Sequence, residues 1–246
     1  MNLAQIIKDS KNIVFFGGAG VSTGSGIPDF RSEKGLYNAQ KVYGQTPEFL
    51  LSRKCFLSNP ELFFKYYKET MIHLDAKPNK AHITLARLEQ AGKLSMVITQ
   101  NIDGLHQAAG SKAVCELHGT NSRHYCIKCK ANYSLKYILD PTNSVDNVPK
   151  CSTCGSIVRP DVVLYGEGLD DAVISRAIEA IRSADCLIIG GTSLSVYPAA
   201  GFIDYAPPHA KIVLINKDKT DHDKECDLVI HDSIEKVLDE VLEEVF

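Results

Sequence analysis

From residue 18 to residue 32 the chain reads Gly-Ala-Gly-Val-Ser-Thr-Gly-Ser-Gly-Ile-Pro-Asp-Phe-Arg-Ser, directly after the apolar block Ile13-Val14-Phe15-Phe16. β-Branched and aromatic residues in so short a block predict a buried strand, so the glycines fall where a first strand turns over. Such a turn can seat a phosphate. Gly18 and Gly20 let the main chain approach a pyrophosphate without Cβ clashes, and free amides with the Ser22 and Thr23 hydroxyls can donate to it. An ordinary tight turn is the plainer reading of Gly-x-Gly. A dinucleotide loop normally runs straight into a helix, whereas Gly24, Gly26 and Pro28 here prolong a polar segment through Asp29-Phe30-Arg31.

The rest of the chain repeats the strand-then-helix rhythm. Strands are predicted at Ser95–Thr99, Val114–Leu117, Val162–Tyr165, Cys186–Ile189 and Lys211–Ile215, with helices at Lys80–Ala91, Asp171–Ser183 and Ser233–Glu244. Strands apolar on both faces and separated by helices of about ten residues or more predict an α/β fold, a doubly wound, Rossmann-like parallel sheet. Residues 34–75 depart from this rhythm. They read as a helical insertion, with Pro47 and Pro60 at first helical positions, and Phe63, Phe64, Tyr66 and Tyr67 read as packing. The expected division is a nucleotide-binding domain of 1–33, 76–119 and 158–246, a helical insertion 34–75, and a small module 120–157.

That module carries Cys126-x-x-Cys129 and Cys151-x-x-Cys154, separated by 21 residues. Two such knuckles match a tetrahedral zinc site, and four thiolates leave no position for water, so the metal is read as structural. Fewer than 40 residues bury little apolar surface, which makes the ion the main source of the module's stability. Net charge of −3 argues against nonspecific attraction to nucleic acid. Met1–Ser10 has amphipathic spacing at Leu3, Ile6 and Ile7 without a signal peptide's apolar centre, and no run reaches bilayer length. The expectation is a cytoplasmic protein, a monomer, with no membrane attachment.

Two polar segments follow predicted strands, where open parallel sheets bind ligands: Thr99-Gln100-Asn101-Ile102-Asp103 and His118-Gly119. Each alone has a plain explanation, as a helix cap or a satisfied histidine. With the glycine loop, Pro28–Arg31 and the four cysteines, they stand in the order found in sirtuins, the NAD-dependent protein deacylases. The chain also resembles that family at Tyr165-Gly166-Glu167, Gly191–Leu194, Tyr197–Ala200 and Ile215-Asn216. Its texture is most similar to the bacterial branch with a short catalytic core. Gly17 stands where many sirtuins have Thr, and Tyr165 where Phe is common.

The resemblance implies NAD as a consumed co-substrate and one structural zinc ion held by Cys126, Cys129, Cys151 and Cys154. It implies His118 as general base on a ribose hydroxyl, after the acetyl-lysine oxygen has attacked the anomeric carbon and formed an imidate. Asn101 would order ribose or a nearby water, and Ile102 and Asp103 would hold the nicotinamide carboxamide. Ala19, Thr23, Phe30, Arg31, Gln100, Thr192, Ser193 and Asn216 would contact NAD, with Ser233 at the adenine end. An acetylated lysine of a protein substrate would enter between module and main sheet, its peptide pairing as a strand near Val163–Glu167 and Leu194–Tyr197. Val163, Tyr165, Gly166, Glu167 and Val196 would form this substrate site. Sirtuins that remove succinyl or malonyl groups carry Tyr-x-x-Arg, and residues 54–86 contain no arginine, so uncharged acyl groups are expected. The same activated sugar would also allow mono-ADP-ribosyl transfer.

Two rivals carry weaker signals. A dehydrogenase needs a prompt Gly-x-Gly-x-x-Gly helix and an acidic residue ending the second strand. A zinc-ribbon binding module would use Arg123, Lys128, Lys130, Lys136 and Lys150, but Asp140 and Asp146 interrupt that basic character.

Overall fold

Alternate residues of a strand point to opposite faces, so a strand apolar throughout must be covered on both. The computed structural model describes residues 2–29, 39–195, 197 and 199–245. Its strands are β1 Ile13–Gly17, β2 Leu94–Thr99, β3 Val114–Glu116, β4 Gly119–Cys126, β5 Asn132–Ser134, β6 Ser144–Val145, β7 Val148–Pro149, β8 Val158–Val162, β9 Cys186–Gly190, β10 Lys211–Ile215 and β11 Leu228–Ile230. Six form one parallel sheet in the order β11-β10-β9-β1-β2-β3. Ile13 and Phe15 of β1 pack against helices Leu3–Asp9, Lys80–Gln90 and Ile234–Val245. Val14 and Phe16 pack on the opposite face against Ala177 and Ile181 of helix Asp171–Ser183 and against Phe202. The doubly wound sheet is therefore as expected. Its order reverses between β1 and β9, which opens a crevice at the carboxyl ends of these two strands.

β5, β4 and β8 form a small antiparallel sheet, accompanied by the β6–β7 hairpin. Short helices Pro47–Leu50, Arg53–Ser58 and Pro60–Tyr66 and a wide π turn, Tyr67–Met71, pack on this module through Phe63, Phe64, Tyr66 and Tyr67, all buried beside Val148 and Val162. Pro47 and Pro60 do open helices, capped by Thr46 and Asn59.

The strand expected at Val162–Tyr165 is a correction. The strand is β8, Val158–Val162, and it pairs antiparallel with β4 instead of returning to the main sheet. Its burial alternates, with Val158, Pro160 and Val162 inside and Arg159 and Asp161 half-exposed, the pattern of an antiparallel strand with one wet face. β11 and the polar β4 were not anticipated. Among the described residues no helix is long and apolar enough to cross a membrane.

Candidate active site

The glycine loop is fixed to the sheet by main-chain contacts. Gly18 N–H donates to Gly190 O at 3.2 Å and Gly20 N–H to Gly191 O at 2.8 Å. A Cβ on Gly20 would lie 2.7 Å from Gly191 Cα, so the two backbones touch only because neither residue has a side chain. Ser22 Oγ donates to Asp103 Oδ2 at 2.7 Å and Thr23 Oγ1 to Gly20 O at 3.0 Å. The Gly18 and Gly20 amides and both hydroxyls thus find partners within the protein and lock the loop. Ala19 N–H is left without an acceptor among the described residues. The glycine at 17 also has a reason, since a Cβ there would meet Phe15 Cε1 at 2.5 Å.

The segment after β2 ties the loop to the rest of the crevice. Asn101 Nδ2 donates to Gly18 O at 3.0 Å and Ser22 Oγ at 3.1 Å, and Gln100 Nε2 reaches Thr192 Oγ1 at 3.2 Å. Asp103 Oδ1 accepts Leu105 N–H at 2.9 Å, capping helix Leu105–Ala108. His118 Nδ1 lies 2.9 Å from Gln100 O. A carbonyl can only accept, so Nδ1 carries the proton and a neutral ring has its lone pair on Nε2. Ala19, Gln100, Asn101, Ile102, Asp103 and His118 all line one cavity of about 890 Å³. Of the side chains expected around the sugar, Asn101, Asp103 and His118 line this cleft.

Val163, Tyr165, Gly166 and Glu167 also line that cavity. Val163 N–H donates to His118 O at 2.9 Å, while Tyr165 bonds through its N–H to Leu51 O and through its C=O to Arg53 N–H. Tyr165 therefore already pairs with the helical insertion, and Gly166 beside it is exposed at φ +87°. Sequence reasoning missed what holds this wall. Arg159 makes a bidentate pair with Glu167 at 2.7 and 2.9 Å and also donates to Val162 O, while Glu167 Oε2 accepts Leu164 N–H. Burial opposes the Glu167 charge, but Arg159 outweighs it and holds the carboxyl below its ordinary range. An arginine directly after the apolar start of β8 is the only signal in the sequence, and it is a weak one.

The remaining predicted contacts lie outside that cavity. Thr192 and Ser193 follow β9, and Leu194 sits at φ +56°, an uncommon conformation for a branched side chain. Asn216 follows β10 and donates from Nδ2 to Asp218 O at 2.8 Å. Ser233 opens the last helix, whose Glu235 lies against Gly24, so this helix start meets the Thr23–Ser25 turn. Thr23, Thr192, Ser193, Asn216 and Ser233 do not line the 890 Å³ cavity. Phe30, Arg31 and Val196 lie outside the described residues.

Three buried histidines surround this centre. Burial pushes His82 down to about 4 against the attraction of Asp103, His106 to about 3 with His82 adding to it, and His124 to about 4 against Asp161. They are neutral near pH 7. An unfolded histidine titrates near 6.5, so between about 6.5 and 4 the unfolded chain binds more protons and stability falls as pH falls. The loss is of order 3 kcal/mol per histidine by pH 4. The thermal midpoint is expected to drop steeply from pH 7 to 5. A flat midpoint over that interval would contradict the buried neutral assignment.

The four cysteines meet at one point. Their sulfur atoms all lie within 4.8 Å of one another, with Cys126–Cys154 and Cys129–Cys151 at 3.5 Å. Tetrahedral sulfur at about 2.3 Å from a zinc ion puts neighbouring sulfurs about 3.8 Å apart, so the donor set fits that ion. The two knuckles are the same turn built twice: Lys130 N–H returns to Cys126 O and Gly155 N–H to Cys151 O, with φ of +62° and +71°. A hydrogen bond from the Tyr133 hydroxyl, 3.0 Å from Cys151 Sγ, pulls that thiol down to about 5 and favours the thiolate. His124 points to Tyr67 and is not part of the cluster.

Comparison with known proteins places this arrangement. The pattern described as the Sir2 family matches residues 18–198. A Clostridium perfringens protein named NAD-dependent protein deacetylase is 58% identical over 241 residues, covering 98% of this chain and 97% of that one. One of the same name from Clostridium acetobutylicum is 55% identical over 240 residues, covering 98% and 96%. A solved Sir2 complex with a p53 peptide and NAD+ is 38% identical with a TM-score of 0.86, covering 98% of this chain and 95% of that chain. A Sir2Tm structure bound to a propionylated peptide has the same TM-score, 0.86, at 37% identity and covers 98% and 95%.

Proposed function

We propose, from the premise that this chain belongs to the Sir2 family and is an NAD-dependent protein deacetylase, that His118 is its general base and that the cavity beside it takes nicotinamide, ribose and acetyl-lysine together. The single observation that carries this reading is the His118 Nδ1 contact to Gln100 O inside the cavity that Asp103 also lines.

Breaking the bond between nicotinamide and ribose leaves positive charge on the sugar, so the residues here must orient the base and exclude water. Asp103 uses one lone pair on each oxygen within the protein, and a carboxylate has about four, which leaves capacity for the carboxamide N–H. The Ile102 main chain would complete that grip. The acetyl carbonyl oxygen attacks the anomeric carbon as nicotinamide departs. His118 Nε2 then takes the proton of a ribose hydroxyl, whose oxygen attacks the acetyl carbon. The carbon–nitrogen bond to lysine then breaks as the amine takes up a proton, and one water adds to the acetyl carbon and releases the anomeric oxygen as a hydroxyl, so that lysine, nicotinamide and O-acetyl-ADP-ribose result.

Ala19 and Gln100 would contact NAD at the cavity, and Thr23, Thr192, Ser193, Asn216 and Ser233 along the outer rim. Asn101 would order a water through Oδ1, since its Nδ2 serves the loop. The peptide would pair at Gly166 beside Val163, Tyr165 and Glu167. Cys126, Cys129, Cys151 and Cys154 would hold one zinc ion that braces the module and offers no open position. In this reading the nucleotide-binding domain is 1–33, 76–119 and 158–246, with β8 lent to the small sheet. The protein acts as a cytoplasmic monomer on acetylated proteins and takes no nucleic acid, a view its composition supports.

No lysine or arginine lines the cavity among the described residues, and neither Tyr66 nor Tyr67 has an arginine three positions on. An acidic acyl group would bury an unpaired carboxylate, at a cost of about 1–3 kcal/mol or more. Matched peptides are therefore expected to show kcat/KM for desuccinylation about tenfold or more below that for deacetylation. Nicotinamide release should need both NAD and acylated peptide. Faster desuccinylation, or NADH absorbance in place of nicotinamide, would overturn the respective part.

A further inference from the structure

Two irregularities of the backbone meet at one side chain. β4 pairs with β8 at Thr120–Asp161 and next at His124–Pro160, so residues 121–123 bulge out of that register. The π turn Tyr67–Met71 ends at Met71, whose carbonyl has no helical N–H to accept. Asn121, buried, sits between them. Its Nδ2 donates to Met71 O at 2.7 Å, its Oδ1 accepts from Tyr67 Oη at 2.8 Å, and its main-chain N–H donates to Ile102 O at 2.8 Å.

The direction of every bond is fixed by chemistry. Turning the amide over would set its carbonyl against Met71 O, so Oδ1 faces Tyr67 and the Tyr67 hydroxyl must donate. His124 Nε2, 3.2 Å from Tyr67 Oη, then donates to that oxygen. Burial pushes the Tyr67 hydroxyl far up and keeps it protonated. A directed chain thus runs from the module (His124) through the helical insertion (Tyr67) to Asn121 and on to Ile102. The Asn121 amide and the Tyr67 hydroxyl are satisfied, while His124 Nδ1 is buried without a partner among the described residues, so the geometry is held at the Asn121 end. Tyr67, Met71, Asn121 and Ile102 all line the cavity.

We infer that Asn121 is a positioning residue that sets the nicotinamide-holding loop by anchoring Ile102 to Met71 and Tyr67, so that module and helical insertion jointly fix the seat of the leaving group. This rests on the reading of Ile102 and Asp103 as the nicotinamide contacts. A released product can rebind the seat it left, so added nicotinamide should inhibit by occupying that seat, whereas ADP-ribose lacks the base and should bind without it. The test compares half-inhibiting nicotinamide concentration with ADP-ribose affinity in Asn121→Ala, Tyr67→Phe and Asp103→Asn. Loss of the Tyr67 bond to Asn121 in Tyr67→Phe, and of both side-chain bonds in Asn121→Ala, is expected to raise the nicotinamide concentration about fivefold or more. ADP-ribose affinity should stay unchanged. Tyr67→Phe removes one oxygen and keeps the ring, so the test survives if Asn121→Ala fails to fold. A shift in Asp103→Asn alone overturns the role of Asn121. Equal weakening of nicotinamide and ADP-ribose in Tyr67→Phe overturns it too, as general slackening. No shift in Asp103→Asn removes the nicotinamide assignment and this inference with it.

Discussion

Replacing His118 with Ala is expected to lower the deacetylation rate by about 10²–10⁴-fold, the usual span for a lost general base. The imidazole is fixed through Nδ1 by Gln100 O, on a main-chain segment whose own Gln100 N–H donates to Gly17 O. Ring and glycine loop are therefore positioned by one continuous backbone, and removing the ring should not move the loop. NAD affinity is expected to be retained, with kcat falling and KM for NAD little changed. His118→Gln keeps a side chain of similar reach without a titratable base and should lose activity equally. Titration calorimetry with NAD beside steady-state rates checks the split. Turnover within threefold of the unmodified protein would remove His118 from the base role, and a parallel loss of NAD binding would make it a scaffold residue.

The second large effect is expected on the metal. Besides the thiols Cys126 and Cys151, the buried cluster between the knuckles holds only Ile138 and Val158, with Tyr133 and Tyr137 against it. That is too little to fold a module, whereas structural zinc contributes about 10–16 kcal/mol in comparable peptides. Cys151→Ser, or a strong chelator, should unfold residues 120–157 and abolish deacetylation. The loss should reach the peptide wall first, because β8 carries Arg159, and Arg159 holds Glu167 beside the groove. ADP-ribose binding should largely survive, since the six-stranded sheet owes nothing to the knuckles. Elemental analysis should find one zinc per chain. Full activity after metal removal would refute the bracing role.

Where sequence and structure agree, the residues had only one physical option. Ile13–Phe16, Cys186–Ile189 and Lys211–Ile215 are apolar on both faces, and a sheet covered twice is the one place for them. Twin Cys-x-x-Cys turns likewise admit few geometries. Legibility ended where a side chain's task is set by distant partners. β4, Gly-Thr-Asn-Ser-Arg-His-Tyr-Cys, has no apolar alternation because Asn121 and His124 face a polar network. The Ser22 hydroxyl, read as a phosphate donor, faces Asp103, which is 81 positions away in the chain. Leu228–Ile230 is a three-residue edge strand, shorter than a periodicity can register.

The contact of Gly20 with Gly191 has one more implication. Main chain rests on main chain there, so the glycine loop inherits the stiffness of the central strands and not that of a surface turn. Drift in surrounding side chains has no lever on it, and any residue larger than hydrogen at either position would pry the two halves of the crevice apart.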